Sequence, residues 1–498
     1  MRSSNRFLSA PDHAGRINPT LFGYVALALL LLLPGFAVFA QDAPGDTPGD
    51  EPETEAPPAE APADELDPDE LEQRRGRGDW GVTLDALRSV RAADHQDSDA
   101  RTSALSAALW LRRVSPIGDL STIDTAVQGS YNWSSGQTYL NLDLLRLRGL
   151  YPELLGDSSV VEATAGRFRF QDPSALVLNS TLDGVSTRIA YPRVRLRLGA
   201  AYSGLLLNPA SNIRMTAADL REQDDDDEDF APRRAIGLAE LSFPELFARQ
   251  TVVFGAVGQF DLRDADDDEQ TVSSGYAVAG IRGPLFGNLY HDIYGAGTMG
   301  SVETEGDGGE DYDYIGYMGS ARLRWFFPNF FASRLSVRGV YASSGERDED
   351  DDTFDDRFLP ITRTRFGTAI ALPLENLLMG ELQYSIRPLI GSDSERARRF
   401  QVVLTGRTFF TTSDEPVVLD PTTEVEAGDL QDYPGFATDP DGNYIGSEAV
   451  LQLNARPLSD LGLGFTAGMF FPGTGSSGAF TSERKPEFLG RVELSTRF

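Results

Sequence analysis

Arginines at alternate positions are the residues of this sequence best suited to bind a charged ligand. In one run, Arg193, Arg195 and Arg197 alternate with apolar residues. Successive side chains of a β-strand point to opposite faces, so such a run places all its arginines on one face. A guanidinium stays charged when partly buried and offers paired donors to a carboxylate or phosphate. The pattern therefore predicts strands with one cationic and one apolar face.

The same alternation recurs elsewhere in the chain. The arginines concerned are Arg167, Arg169, Arg322, Arg324, Arg334, Arg338, Arg363 and Arg365. An arginine on a lipid-facing surface costs about 2–4 kcal/mol at the bilayer midplane, so in a membrane barrel these residues are expected to line the pore. There they either attract anionic solutes or are neutralised by acidic residues such as Asp143, Glu162, Glu240 and Glu493. The sequence leaves both interpretations open.

Acidic runs are the second candidate for ligand chemistry. Asp224, Asp225, Asp226 and Asp227 present oxygen ligands of the kind that Ca²⁺ prefers. The run lacks the glycine-punctuated spacing of a defined calcium loop, so it predicts at most diffuse cation binding. A solvated loop whose charges repel one another is the favoured interpretation.

Catalytic groups are scarce. The chain has no cysteine, and His95 and His291 are its only histidines after the N-terminal region. Each stands beside an aspartate, and neither has a distinctive nucleophile in its neighbourhood. We therefore expect no enzymatic activity and no cofactor. The formal net charge of -32 also argues against nucleic acid as a partner, since phosphate binding requires cationic surface.

The elements that must position these residues are short alternating segments separated by turn-forming residues. From residue 78 onward the sequence predicts nineteen strands, one of them over 360–372. The connections alternate between short proline turns, such as Phe243-Pro244, and long acidic segments. Transmembrane barrels have short periplasmic turns and long extracellular loops, so we expect an all-β, antiparallel up-and-down barrel of about 18 strands, within 16 to 20.

The odd number of predicted strands needs an explanation, because a barrel with both ends in the periplasm has an even number. Either Pro416–Leu419 forms a further short strand, or one early segment lies inside the barrel.

Aromatic residues cluster at segment ends, as in 325–327, 330–331, 409–410 and 470–471. They are expected to form the girdles that mark the two membrane interfaces.

The last eleven residues alternate without interruption, with Val492, Leu494 and Phe498 on one face and charged residues on the other. This segment resembles the final strand of bacterial outer-membrane β-barrel proteins, which typically ends in Phe. The resemblance implies that Val492, Leu494 and Phe498 form a C-terminal signal that the barrel assembly machinery reads. It also implies a Gram-negative outer membrane as the location, with lipid and lipopolysaccharide as partners.

The N-terminal residues predict export. Arginines precede an apolar run over 21–40 that ends in Val38-Phe39-Ala40, so residues 1–40 are expected to be a signal peptide. A permanent membrane helix is the alternative. Residues 41–77 are acidic and rich in Pro and Ala, which predicts a disordered periplasmic linker. Residues 78–498 are then the barrel.

A second resemblance lies in the middle of the chain. Gly166-Arg167-Phe168, followed by Leu182-Asp183-Gly184-Val185, resembles the G-R-Q and F-D-G-V motifs of alginate-export and related substrate-specific porins. It implies that Arg167 and Asp183 face the pore and that the loop 171–179 folds into the channel. Phe168 departs from the motif, which has Gln there. A turn glycine with a salt-bridged arginine explains the same residues.

These features together favour a porin-like outer-membrane channel, monomeric or trimeric, for passive diffusion of small hydrophilic and anionic solutes. The alternative is a non-conducting barrel whose acidic extracellular loops form a cation-binding or adhesive surface.

Overall fold

The structure, a computed structural model, describes only part of the chain. The residues described are 78–92, 100–117, 120–134, 137–204, 211–215, 219, 232–263, 270–304, 312–344, 354–413, 442–474, 478–480 and 485–497. Several features singled out in the sequence therefore lie outside the described residues: the predicted signal peptide, the predicted acidic linker, His95, Asp224–Asp227, Pro416–Leu419 and Phe498.

Long β-strands dominate the described residues, as the period-two alternation predicts. The strands that form the barrel wall are β1 (Gly78–Ala92), β2 (Ala100–Ile117), β3 (Ser121–Ser134), β4 (Gln137–Pro152), β5 (Val160–Gln171), β6 (Asn179–Ala190), β7 (Arg195–Tyr202), β8 (Arg234–Phe247), β9 (Gln250–Asp261), β10 (Gln270–Phe286), β11 (Leu289–Thr304), β12 (Tyr312–Phe327), β13 (Ser333–Ala342), β17 (Leu377–Ile386), β18 (Gln401–Phe410), β19 (Tyr444–Ala455), β20 (Leu461–Pro472) and β21 (Glu487–Arg497). Three two-residue strands, β14 (Phe354–Asp355), β15 (Arg365–Phe366) and β16 (Leu372–Pro373), and a four-residue helix, α1 (Glu395–Arg398), lie between β13 and β18.

The wall is a closed antiparallel sheet of eighteen strands. Neighbours in sequence pair with each other, and β1 pairs with β21 from Thr83↔Arg497 to Ala92↔Phe488, which closes the barrel. With an even number of strands, the start of β1 and the end of β21 lie at the same end of the barrel. Barrels of this size leave a lumen wide enough for an aqueous channel unless other segments fill it.

The predicted strand over 360–372 is the one segment of the nineteen that is not in the wall. β13 pairs directly with β17, from Arg334↔Ser385 to Ala342↔Leu377, and the intervening residues leave the sheet. Ile361, Phe366 and Leu372 are buried although they are not wall residues. Their alternation with polar residues therefore reflects packing inside the barrel, and this late segment, rather than an early one, accounts for the odd number.

The outer surface of the wall is apolar. Val185, Leu198, Val337 and Val492 are 56%, 48%, 47% and 53% exposed. They lie on the face opposite the arginines of their strands, which is the arrangement required by a lipid-facing exterior. No helix among the residues described is long and apolar enough to span a membrane.

The aromatic clusters divide between the two faces of the wall. Trp325, Phe330 and Phe471 are exposed at strand ends, where interfacial girdles lie. Phe409 and Phe470, in contrast, are completely buried and belong to an apolar cluster inside the barrel. The expectation of a girdle therefore fails for these two residues, because segments folded into the lumen provide apolar surface on the inner side.

Candidate functional site: the barrel lumen

Two segments fold inside the wall. The longer one, which we call the second inner segment, comprises residues 356–376 between β14 and β17. It folds back on itself through the β15–β16 hairpin, in which Phe366 pairs with Leu372. Phe358 lies against Gly316 of β12, where a Cβ atom would come within 2.5 Å of the Phe358 backbone. Leu372 and Leu374 are essentially unexposed. The segment is thus packed against the wall and is part of the folded barrel.

A buried carboxylate of the wall holds the turn of the β15–β16 hairpin in the second inner segment. Glu448 of β19 accepts backbone N–H bonds from Thr368 at 2.7 Å and Ala369 at 2.6 Å. Its other oxygen is 2.5 Å from the Arg407 guanidinium, which also contacts Glu381 at 2.7 Å. Glu448 is 2% exposed. A buried charge is tolerated when it is paired and hydrogen-bonded in this way, so Glu448 is a specific anchor for the segment.

A second ion pair anchors the end of the segment. Arg214, in the connection between β7 and β8, contacts Glu375 at 2.6 Å. Backbone bonds from Arg214 N to Ile361 O and from Arg363 N to Asn212 O, both 2.8 Å, join the same two segments. Burial disfavours the charged form of Glu375, but the Arg214 charge and hydrogen bond outweigh it and hold the pKa of Glu375 below its ordinary value of 4.5.

The Arg214–Glu375 pair gives the first testable prediction. Because the pKa of Glu375 is lowered on folding, the pair stabilises the inner segment fully above pH 4.5, and this stabilisation is lost as the pH falls through the lowered pKa. Hydrogen exchange at Ile361–Arg363, corrected for intrinsic rates, should therefore be slow at neutral pH and accelerate at acidic pH. Glu375→Gln should exchange faster at neutral pH with a weaker pH dependence.

The control variant Glu395→Gln removes an exposed pair with Arg399 and should leave exchange at Ile361–Arg363 unchanged. A wild-type profile like that of Glu375→Gln would contradict the prediction.

The first inner segment comprises residues 172–178 between β5 and β6. Asp172 closes it as a tight turn, because its carboxylate accepts from the backbone N–H groups of Ser174, Val177 and Leu178 at 2.8–3.1 Å. Pro173 lies against Gly255 of β9, where a Cβ would be 2.9 Å from the proline ring. The turn therefore reaches across the inner wall rather than away from the barrel.

The two inner segments are joined to each other. Thr362 N donates to Val177 O at 3.1 Å, and the Thr364 hydroxyl contacts Leu176 O, also at 3.1 Å. Leu176, Val177 and Leu178 share one apolar cluster with Phe358 and Ile361. Together the segments narrow the lumen and form a constriction whose polar boundary is set by the wall residues that remain uncovered.

Charged residues follow the inner face of the wall in two arcs that the strand register defines. The first arc runs across β5–β8 through directly paired residues: Glu162, Arg188, Arg197 and Glu240. The second arc runs across β10–β19: Arg282, Asp292, Arg322, Arg338, Glu381, Arg407 and Glu448. Opposite charges alternate along both arcs except at one position in each.

At these exceptions two arginines are directly opposite each other, Arg188↔Arg197 and Arg322↔Arg338. The nearby carboxylates are already used. Glu162 contacts Arg148 at 2.8 Å, and Asp292 contacts Arg324 at 2.5 Å. Within the described residues, Arg188, Arg322 and Arg338 form no ion pair.

Two of these four arginines, Arg197 and Arg338, make further contacts that compensate their charge only in part. Arg197 is 3.8 Å from Glu240 and donates to Gln171 O at 3.0 Å. The Arg338 guanidinium lies 5.2 Å above the Phe366 ring of the second inner segment. The lumen therefore contains two sites of only partly compensated positive charge, one of them directly beside the second inner segment.

The motif arginine Arg167 is used structurally. It is 2% exposed, forms a bidentate pair with Asp183 at 2.8 and 2.9 Å, and donates to Leu142 O at 3.0 Å. Gly166 beside it has φ +107°, and a Cβ there would lie 2.1 Å from Leu145 O. Arg167 thus joins β4, β5 and β6 next to the first inner segment, as the salt-bridge interpretation of the motif anticipates.

At the end of β5 the alternation runs in the opposite sense to the expected one. Phe168 and Phe170 are buried in the interior cluster, and Arg169 is exposed and donates to Asn179 at 2.6 Å. The reason is that the first inner segment makes the inner side apolar at this level. On the inner face of β5, phenylalanine therefore occupies the positions that arginine occupies in other strands.

The remaining predicted arginines occupy three environments. Arg195 and Arg334 share the inner face of their strands with Arg197 and Arg338, and Arg334 donates to Gln383 at 3.0 Å. Arg193 is exposed in the turn before β7. Arg363 and Arg365 belong to the second inner segment rather than to a wall strand. The pattern missed Arg188, Arg282, Arg407 and Glu448, because each stands alone in its strand and only the register brings it into an arc.

An open cavity of about 1070 Å³ lies along the wall where the first and last strands meet. Its walls come from β1–β4 and β18–β21 and from the connection between β17 and β18. Its charged lining residues are Asp85, Arg387, Arg399, Arg456, Arg491 and Glu493. None of these lining residues belongs to either inner segment.

No protein-family model and no curated protein matches this sequence. Solved structures do match. Pseudomonas aeruginosa OccK2 (OpdF) aligns with a TM-score of 0.51 and 12% identity over 84% of this chain and 97% of that chain. Its complex with glucuronate gives the same TM-score and identity over 84% and 96%. Pseudomonas aeruginosa OccK5 (OpdH) aligns with a TM-score of 0.48 and 11% identity over 84% and 98%. The likeness to OccK2 establishes that the chain has the closed barrel fold of an outer-membrane porin.

Proposed function

We propose that this protein is an outer-membrane channel for the passive diffusion of small hydrophilic anions. The observation that carries the proposal is that two pairs of arginines, Arg188↔Arg197 and Arg322↔Arg338, are direct register partners in neighbouring wall strands. Like charges directly opposite each other destabilise a sheet. A solute anion between two guanidiniums offsets that repulsion and receives charge-assisted hydrogen bonds from both.

The arrangement of the two arginine pairs favours the passage of an anion over its tight binding. Each arginine pair lies on the wall, and the alternating carboxylates of the arcs keep the net positive charge local. A conducting pore needs sites that are favourable enough to enter and weak enough to leave. Two partly compensated sites on the inner wall meet this requirement.

The solutes we propose are small molecules with one or a few carboxylates. Planar, bidentate recognition by arginine favours carboxylate and phosphate over compact halides. The solved complex of OccK2 with glucuronate supports a sugar acid as the first probe. The exposed apolar wall is proposed to contact lipid and lipopolysaccharide, and β21, with Val492 and Leu494 on its exposed face, to be read by the assembly machinery.

The proposal is tested by reconstitution. Single channels in a planar bilayer with a tenfold KCl gradient should show a reversal potential of the sign for chloride preference. Liposomes containing the protein should swell faster in glucuronate than in glucose, which matches it in size but is uncharged. Absence of current, or a reversal potential indicating cation preference, would exclude the proposed function.

A further inference from the structure

The cavity of about 1070 Å³ where the first and last strands meet is lined by charges of both signs. We call it the seam cavity. Pockets that hold a drug-sized ligand measure about 300–1,000 Å³, so the seam cavity has room for one sugar-sized solute and its water. Its size therefore sets little limit on small solutes, and the discrimination between them falls to its charges.

Asp85 of β1 places a carboxylate in the seam cavity. Leu84 and Leu494, its neighbours in β1 and in the paired strand β21, are exposed on the outer face of the wall, so Asp85 projects from the inner face. It is exposed there, and among the described residues it forms no ion pair. The carboxylate of Glu493, which also lines the cavity, is paired with Arg491 at 2.5 Å. Asp85 therefore contributes a negative charge that a solute meets directly.

Positive charge lies at the end of the seam cavity where β1 begins. Arg387 follows β17 and Arg456 follows β19, and both line the cavity. Both are exposed, and in the part of the chain that the structure describes neither has a carboxylate partner. Arg399, a third arginine of the lining, is paired with Glu395. Arg387 and Arg456 are therefore available to an anion in the cavity.

The floor between Asp85 and Arg456 is kept open by glycine. Asp85 is paired with Ser495 and Ser495 with Gly462, and Arg456 directly follows the last residue of β19 that pairs with β20. Three strand spacings, about 14 Å in all, separate the two backbones. A Cβ at Gly462 would lie 2.6 Å from the Ser495 hydroxyl. The long side chain of Arg456 covers part of this distance, and the remainder suits one small solute.

The two ends of the seam cavity bind different groups of a solute. Arginine only donates hydrogen bonds and pairs with a carboxylate, whereas an ionised aspartate only accepts them. A solute with one carboxylate satisfies the arginines, and a hydroxyl group at its other end donates to Asp85. A second carboxylate at that end would face Asp85 without a cation to neutralise it. Repulsion of one solute contributes to specificity as much as attraction of the other.

We propose that the seam cavity binds small monocarboxylates that carry hydroxyl groups, and that Asp85 is the residue that excludes dianions. The inference rests on the proposed function and narrows the class of anion that the channel carries. The contribution of Asp85 to the preference for a monoanion over the matching dianion is about fivefold, the factor that corresponds to the repulsion of two unit charges about 4 Å apart in bulk water.

Gluconate and glucarate test the proposal, because they share one hydroxylated carbon chain and differ in a terminal group, an alcohol in gluconate and a carboxylate in glucarate. Uptake of each into proteoliposomes gives the ratio of the two rates. Asp85→Asn removes the charge and keeps the size, so it should lower the gluconate-to-glucarate ratio about fivefold, by accelerating glucarate. Asp85→Ser, which also lacks the charge, should do the same and serves if Asp85→Asn does not form a closed barrel. An unchanged ratio in a closed barrel would overturn the proposal.

Asp79→Asn is the matched control. Asp79 lies on the same strand and the same inner face as Asp85, is paired in register with Arg112, and is not among the residues that line the seam cavity. Its loss should leave the ratio at the value of the unchanged protein. A change as large as that of Asp85→Asn would show that the overall charge of the lumen decides, and would also overturn the proposal.

A second variant tests the arginine end of the seam cavity. Changing Arg387 and Arg456 together to Gln should slow gluconate and glucarate alike, because both solutes use the same carboxylate contact there. Uptake as fast as in the unchanged protein would exclude these arginines from the site.

A binding measurement keeps the test independent of transport. Equilibrium dialysis of radiolabelled gluconate and glucarate against the barrel in detergent should show the same fivefold change, about one order in the ratio at most, when Asp85 becomes Asn. If no form conducts but Asp85→Asn changes binding in this way, the proposed function fails and the binding site stands. If the channel conducts anions but Asp85→Asn changes neither ratio, the inference is refuted and the proposed function is unaffected.

Discussion

A barrel without its second inner segment should conduct several-fold more current than the complete chain. Ala342 and Leu377 are directly paired at the ends of β13 and β17, so residues 343–376 can be replaced by a short Asn-Gly hairpin turn without removing a wall strand. The lumen of an eighteen-stranded barrel is wide enough for an aqueous channel, and the inner segments are what narrows it. Single-channel conductance in 1 M KCl measures the change.

Glu448→Ala is the point variant of the same experiment. It removes the acceptor of the Thr368 and Ala369 N–H groups and one partner of Arg407, and leaves the wall pairing unchanged. We expect frequent steps to a higher conductance, since the segment remains attached by Arg214–Glu375. Heat-modifiable migration on a gel checks that both variants form closed barrels. A closed barrel with unchanged conductance would show that the segment does not limit the current.

The wall of this barrel could be predicted from sequence because lipid outside and water inside impose a period of two. Arg197 and Leu198 alternate as expected, and so do Leu323 and Arg324. The C-terminal strand places Val492 and Leu494 on the exposed face. Proline turns and acidic segments separate the predicted strands, and the expected number of about 18 is confirmed.

The interior could not be predicted in the same way. Phe170, Phe409 and Phe470 alternate correctly but point inward, because period two distinguishes two faces without stating which solvent each face meets. Residues 360–372 alternate because they pack on the wall, and no local signal separates that from a strand. Arg188 and Arg197 become neighbours only through the register of β6 and β7, which requires the whole sheet.

Neutralising the two arginine pairs should abolish the proposed anion preference. In the variant with Arg188, Arg197, Arg322 and Arg338 all changed to Gln, carboxylates such as Glu240 remain on the wall, so the local potential becomes negative. The chloride-to-potassium permeability ratio, obtained from the reversal potential in a KCl gradient, should fall below one. Arg249→Gln, which removes an exposed arginine outside the lumen, should keep the wild-type ratio. An unchanged ratio in the quadruple variant would remove the arginine pairs from the proposed function.

Replacing the same four arginines by lysine separates charge from geometry. Lysine keeps the positive charge but is a point charge without the planar fork that binds a carboxylate through two parallel hydrogen bonds. Chloride preference should therefore survive in the lysine variant, because it depends on potential alone. Inhibition of chloride current by added glucuronate should weaken several-fold, because it depends on the fork. If lysine supports inhibition as well as arginine does, the pairs act only through their field, and carboxylate recognition lies elsewhere in the lumen.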